Sequence, residues 1–255
     1  MLARQGLAAD DTGVPEGYRP AEYWAHLLES DFTLRGVGHV CYSEGYNVWM
    51  YRWKRGVFRK ALHHVPKPCR ALDIGSGVGW VVSELLDWGA QPEGCDITDV
   101  SVERLAQRFP TVPFSKVELG REPLPHATAS FDLVTILDVT FHIVDDDKWG
   151  AGVAEMARVL RPGGYLIVTD GFGRTDIEPW EHVRFRSLER WRATARAAGL
   201  ELTSLVPMYR WLSRDVSDLW LKGLPGRARG TMEYALELAV RRPPHMRCAT
   251  FTKIP

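Results

Sequence analysis

The chain is poor in cysteine: four in 255 residues, Cys41, Cys69, Cys95 and Cys248, with no Cys-x-x-Cys pair among them. That spacing fits neither a zinc cluster nor a disulfide framework, and small buried hydrophobes are the simplest reading of all four. A net charge is lacking too. The 32 basic and 32 acidic residues cancel, so no general attraction to nucleic acid or to an acidic membrane is implied. No apolar run approaches the roughly 20 residues needed to cross a bilayer. The opening stretch MLARQGLAADDTGVPEGYRP has no apolar core of signal-peptide type. A soluble, cytoplasmic protein is expected, with no membrane and no nucleic-acid partner. Internal repeats and low-complexity tracts are absent as well.

What the chain has is aromatic residues, ten of them tryptophan, and an alternating texture. Residues 1–18 are polar and contain Gly and Pro; AEYWAHLLES, after Pro20, reads as a short helix. EGYNVWMYRWKRGVFRKALHHV, residues 44–65, reads as a second helix with Val48, Met50, Tyr51, Val57, Phe58 and Leu62 for burial. Strands and helices then alternate. CRALDI, PEGCDI, TVPFSKVEL, FDLVTILDV, GYLIVTD, LELTSLVPM and HMRCATFTKI are the strands. VGWVVSELLDWG, DVSVERLAQRF (Asp99 or Ser101 near its cap), DKWGAGVAEMARVL (opened by Asp147) and SLERWRATARAAG (capped by Ser187) are the helices.

This predicts an α/β fold: a seven-stranded, mostly parallel, doubly wound sheet with helices on both faces. An N-terminal helical lid and a helical insertion before the last strand complete it. The expected division is a tail and lid at 1–64, a Rossmann-like cofactor-binding core at 65–208, an insertion at 209–242 and the final strand at 243–255. The insertion is read as a helix WLSRDVSDLWLKG, a loop LPGRARG and a helix TMEYALELAVRR.

The densest signal is ALDIGSGVGW, residues 71–80, with glycines at 75, 77 and 79 behind Asp73. Glycine at this density suits neither a strand nor a helix interior, so a ligand or a tight turn must justify it. A dinucleotide loop, Gly-x-Gly-x-x-Gly, would need a third glycine where Trp80 stands. An acid at the strand end would repel an anionic group and welcome an ammonium.

The stretch resembles motif I of the class I S-adenosylmethionine-dependent methyltransferases. By that resemblance Gly75, Ser76 and Gly77 pass beneath S-adenosylmethionine and Asp73 faces its amino-acid end. Asp96, 23 residues further on, accepts the ribose hydroxyls and Ile97 packs on the adenine. Val117 and Glu118 stand where the family often has an Asp for the adenine amino group. The fourth strand and its loop, FDLVTILDVTFH, and the turn and strand LRPGGYLIVTD also match. The family's N-terminal helices form a lid. Tyr42, Tyr46 and Asn47 are therefore candidates to close over the methionine end, and Arg52 to pair with its carboxylate or to form an exposed basic face.

Methyl transfer needs an aligned nucleophile and, for a hydroxyl, removal of its proton. His142 is the candidate base, since His titrates near neutrality; the alternative is a pocket wall. As a base of ordinary pKa it would give a rate rising through about 6–7. Asp138 is a candidate to hold or deprotonate substrate, to bond the methionine end, or to cap its turn. Asp145-Asp146-Asp147 invites a metal reading, but consecutive carboxylates diverge and no further ligand set assembles; no metal is expected. Trp49, Phe141, His142, His182 and Trp211 are candidate substrate contacts, with Trp53, Trp180, Trp220, Arg184 and Arg186 nearby.

The implied function is methylation of a small molecule, first of an oxygen on a natural product or sugar. N- or C-methylation, or a cyclase on the same fold, are the alternatives. No Asn-Pro-Pro-Tyr-type motif follows the fourth strand. Neither the acceptor nor the oligomeric state is legible in the sequence.

Overall fold

The computed structural model describes residues 17–38, 42–213 and 224–254. Helices α1 (Pro20–Ser30) and α2 (Glu44–Leu62) precede β1 (Arg70–Ile74), α3 (Trp80–Trp88), β2 (Gln91–Asp96) and α4 (Asp99–Arg108). Next come β3 (Phe114–Lys116), β4 (Phe131–Ile136), α5 (Asp146–Val159) and β5 (Leu160–Asp170). A hairpin of β6 (Ile177–Trp180) and β7 (Val183–Phe185) leads to α6 (Leu188–Ala197). The chain closes with β8 (Leu200–Tyr209), α7 (Gly226–Ala239) and β9 (Met246–Lys253).

Seven strands form one sheet in the order β3-β2-β1-β4-β5-β9-β8, in which β9 alone runs antiparallel to its neighbours. Period-two alternation sends successive strand residues to opposite faces. Leu72, Val134, Ile136, Leu166 and Val168 join Trp149, Val153, Met156 and Trp191 of α5 and α6 in one core. Ala71, Leu133 and Ile167 join Tyr51, Phe58, Leu62 and Leu85 of α2 and α3 in the other. The expected doubly wound sheet is therefore present. Its order reverses between β1 and β4, and the crevice beyond that point is where open α/β sheets bind ligands.

Local details differ from the sequence reading where a side chain outbids simple periodicity. Val48 is 50% exposed, because the buried stripe of α2 runs through Asn47, Tyr51, Lys54, Phe58 and Leu62. Helix α4 is capped by Thr98, whose Oγ1 accepts from Ser101 N at 3.3 Å. Helix α5 is capped by Asp145, whose Oδ1 accepts from the amides of Asp147 and Lys148, each at 2.9 Å. Most of the supposed loop LPGRARG is helical from Gly226, with Arg229 paired to Glu233 at 2.8 Å and its guanidinium 4.4 Å from the Tyr42 ring centroid. Residues 211–213 are a turn: Glu237 Oε1 accepts from the amides of Arg210, Trp211 and Leu212 at 2.6, 2.7 and 3.0 Å. The remainder of the helix expected there, with Trp220, lies outside the described residues, as do residues 1–16 and Cys41. Cys69, Cys95 and Cys248 are free and buried.

Arg184 and Arg186 serve the scaffold. The Arg186 side chain is fully buried; it donates to Ile143 O at 2.7 Å and to Asp146 Oδ1 at 3.0 Å, with its guanidinium 4.5 Å from the Trp149 ring centroid. Asp146 also takes Arg184 and Arg190. A buried arginine so engaged fixes the loop between β4 and α5. Removing it strands buried acceptors, so Arg186→Met should cost about 3 kcal/mol. Urea unfolding at neutral pH would measure this, and a midpoint equal to wild type would show that the loop does not depend on it.

Candidate functional site

The strand-to-helix turn after β1 is bent by glycines at positive φ: 73° at Gly75, 52° at Gly77 and 78° at Gly79. Only glycine adopts this region without strain. A Cβ on Gly75 would meet Val139 Cγ2 at 2.4 Å, and one on Gly77 would meet Val37 Cγ1 at 3.1 Å. Strand β2 holds the turn. Gly75 N and Ser76 N donate to Cys95 O at 2.8 and 3.0 Å, and Gly77 N donates to Asp96 Oδ2 at 2.8 Å. Ser101 Oγ donates to Gly77 O at 2.7 Å.

The turn floors a cavity of about 280 Å³. Gly75, Ser76, Gly77, Asp96, Ile97, Val117, Glu118, Asp138 and His142 all line it, brought from four strand ends. Asp96 is pre-oriented, with Oδ1 accepting from Thr98 N and Oγ1 at 2.9 and 2.8 Å. Burial pushes its carboxyl up, and these amide and hydroxyl donors oppose that rise. Oδ2, which accepts from Gly77 N, keeps a lone pair for a ligand's hydroxyl.

Asp73 lies beneath the turn rather than on the wall, 1% exposed. Its Oδ1 accepts from Thr135 Oγ1 at 2.8 Å, while Oδ2 is buried with no partner. Burial lifts its carboxyl to about 7. An unpartnered buried carboxylate oxygen at this strand end suits a nearby positive charge.

At the cavity's inner end Asp138 stands in left-handed backbone, φ 60°. It exchanges two bonds with Thr169: Thr169 Oγ1 donates to Oδ1, and Asp138 N donates to Thr169 Oγ1, both at 2.7 Å. Its Oδ2 takes the Lys54 ammonium. Burial raises the Asp138 carboxyl, but Lys54 and Thr169 outweigh it and hold the group below its ordinary range. Burial likewise works against the Lys54 charge, and Asp138 reverses the effect, keeping it above the usual lysine range. The ammonium also sits 4.1 Å from the Tyr51 ring centroid and 5.5 Å from that of Trp80.

His142 ends a 3-10 turn, Thr140–His142. Its Nδ1 is 2.8 Å from His182 O. Burial pushes its pKa down to about 4, the His182 carbonyl and Asp138 only partly opposing. The ordinary value of about 6–7 expected from the sequence does not hold in this apolar surrounding. At the rim, Glu118 accepts from Lys148 at 3.0 Å and from Arg121 at 3.1 Å.

Other candidates lie elsewhere. Tyr46 donates to Glu233 under α7, and Trp49 packs on Tyr234 at 5.2 Å. Arg52 stacks over Trp49 at 5.1 Å, on the side of α2 away from the cavity. Phe141 is buried against Phe185, and Trp211 donates to Val240 O at 3.1 Å. His182 does not line the cavity; its ring stacks on that of His142. Tyr42 binds Arg229, and Trp180 is exposed on the hairpin. No group of three or more His, Cys, Asp or Glu is placed to hold a metal among the described residues.

The sequence reading missed Lys54, Tyr18, Trp24, Val37, Trp80 and Lys148 on the wall. Lys54 had a signal: a lysine three residues after Tyr51 and four before Phe58 sits on the apolar face of α2, whereas Arg52 points elsewhere. Tyr18, Trp24 and Val37 had none, because their approach to the cavity is a matter of tertiary packing.

Comparison with known proteins agrees with this geometry. Residues 71–164 match the model of a methyltransferase domain family. A demethylmenaquinone methyltransferase of Beutenbergia cavernae is 37% identical over 112 residues, 44% of this chain and 44% of that protein. The chain thus spans about half the length of the curated relatives it matches. Among solved structures, the 1,6-didemethyltoxoflavin-N1-methyltransferase of Burkholderia thailandensis, with bound S-adenosylhomocysteine, superposes with a TM-score of 0.58 at 19% identity. The match covers 95% of this chain and 94% of that one. The (4+2)-cyclase SpnF superposes at 0.55 and 20% identity, covering 78% and 81%; at such identities the likeness is one of fold. No helix among the described residues is long and apolar enough to cross a membrane. The family match thus falls on the strands that build the glycine turn, residues 71–164 matching a methyltransferase domain, and the fold is the one shared by solved S-adenosylmethionine-dependent methyltransferases.

Proposed function

We propose that this protein methylates a small molecule, at a hydroxyl oxygen, and that the cavity under α1 holds both cofactor and acceptor. The observation that carries the reading is the shared cavity. The glycine turn and Asp96 line the same space as Asp138, Lys54 and His142. When bound, S-adenosylmethionine supplies a methyl already activated by its sulfonium. Asp96 would accept from a ribose hydroxyl, with Ile97 and Val117 against the adenine and Glu118 near its amino group. Lys54, in place of Arg52, would face the carboxylate, while Asp138 and the unpartnered Asp73 Oδ2 favour the ammonium.

His142 then has a modest chemical task. With a pKa of about 4 it cannot ionise an ordinary alcohol. An oxygen that has gained a methyl is far more acidic, however, and a neutral imidazole is base enough for that proton. Alignment does the rest. Around His142 the wall is aromatic, with Trp24 edge-on to its ring and Tyr18 also lining the cavity. That favours a flat small molecule over nucleic acid. The relatives named for demethylmenaquinone and 1,6-didemethyltoxoflavin support an acceptor of that size.

Three outcomes follow. Asp96→Ala should weaken S-adenosylhomocysteine binding by about 1–3 kcal/mol; calorimetry on the folded variant checks it, and equal affinity would remove that acid from the site. Lys54→Gln should weaken S-adenosylhomocysteine about tenfold or more and leave 5′-methylthioadenosine, which lacks the amino-acid end, unaffected. Equal losses for both ligands would contradict the assignment. Last, S-adenosylhomocysteine release with a panel of hydroxyl acceptors should be flat from neutral pH downward and fall only near the His142 pKa of about 4. There the imidazole becomes protonated and can no longer accept. His142→Ala should slow release about 10²-fold. A profile that survives His142→Gln would make this residue a wall, and acceptor turnover without S-adenosylhomocysteine would indicate a cyclase.

A further inference from the structure

We infer that the tip of the β6–β7 hairpin, Glu181-His182, is a positioning element that locks His142 in one tautomer and couples that tautomer to the docked position of α1. The inference rests on the reading of His142 as the residue facing the acceptor.

Trp180 pairs with Val183, so Glu181 and His182 are a two-residue turn. The His182 carbonyl lies 2.8 Å from His142 Nδ1. A carbonyl only accepts, so in the neutral ring the proton must be on Nδ1. None of the described residues pairs with Nε2, which is left as a bare acceptor on a ring that lines the cavity.

The same two residues touch α1 and the segment just before it. The His182 ring stacks on His142 with planes 5° apart and centroids at 5.7 Å, and on Tyr23 of α1 at 5.2 Å. Glu181 Oε1 accepts from Tyr18 N at 3.1 Å, just before α1, and Trp24 of α1 meets the His142 ring edge-on at 4.8 Å. The carbonyl that sets the tautomer is thus carried by a turn clamped between His142 and α1. His182 touches no reacting atom and acts through His142.

The tautomer selects the acceptor's chemistry. A bare Nε2 can bond only a group that brings a proton, so a hydroxyl or an N–H nucleophile is oriented and a carbon nucleophile without such a proton is not. The tautomer thus distinguishes acceptors that bring an O–H or N–H to Nε2, whichever of their atoms is methylated, from those that bring none.

The test is imidazole proton–nitrogen correlation spectroscopy of the full chain with ¹⁵N-labelled histidine, His142 being assigned by its loss in His142→Gln. At neutral pH the wild type should show a protonated Nδ1 and a bare Nε2, with and without S-adenosylhomocysteine. His182→Ala, and independently Tyr23→Ala, should shift His142 toward the Nε2–H form that free imidazole favours, and His182→Phe should restore the wild-type pattern by keeping the stack. Affinity for S-adenosylhomocysteine should be unchanged in the two His182 variants. A wild-type His142 protonated on Nε2 overturns the proposal whatever the variants do, and so does a His182→Ala pattern identical to wild type. Failure of the wild type to bind S-adenosylhomocysteine would instead sink the cofactor reading and leave the tautomer result standing.

Discussion

The site depends on one backbone constraint: a turn with left-handed residues at 75, 77 and 79, lashed to β2 through Cys95 O and Asp96 Oδ2. The turn leaves no room for a Cβ at Gly75, against Val139. Its fixation by β2 puts the carboxylate expected to hold a ribose in register with the loop beneath it. One hydrogen bond, from Gly77 N to Asp96 at 2.8 Å, thereby links the two halves of the cofactor reading. The conformational cost of the turn is met by folding, before any ligand arrives.

Charge in the cavity is arranged in internal pairs. Lys54 with Asp138, and Lys148 with Glu118, each neutralise a wall that would otherwise carry a bare ion. Burying an unpaired charge is costly, so a buried lysine requires its carboxylate. A zwitterionic amino-acid end brings both signs at once and matches the first pair without leaving either member exposed. Asp96 on the wall is held by amide and hydroxyl donors instead of a cation, and Asp73, beneath the glycine turn, keeps a buried oxygen without a partner.

Much of the fold was legible because sheet and helix periods are strong and punctuated: Gly89 ends α3 in left-handed backbone, as its position suggested, and Ser187 caps α6. The short β6–β7 hairpin was not, since Ile177, Trp180 and their neighbours bury little and show no alternation. Within the site, residues at strand ends were readable because chain order fixes where a strand end falls. Candidates chosen for their chemistry alone, such as Arg52, Trp49 and Trp211, lay elsewhere because helix phase and tertiary packing decide which side chain meets a cavity. His142 shows the same limit in energetic form. Its place after β4 followed from the sequence, but its depressed pKa follows from burial by residues distant in the chain, such as Trp24 packed edge-on against its ring.

The central claim is that the glycine turn and Asp96 form the floor and ribose clamp of a cofactor site. A crystal structure of the protein with S-adenosylhomocysteine tests it most directly. The account predicts a ribose hydroxyl on the Asp96 carboxylate, the ligand's backbone across Gly75–Gly77, and its amino-acid end beside Lys54 and Asp138. Density for the nucleoside elsewhere, or a ligand whose ribose turns away from Asp96, would contradict it.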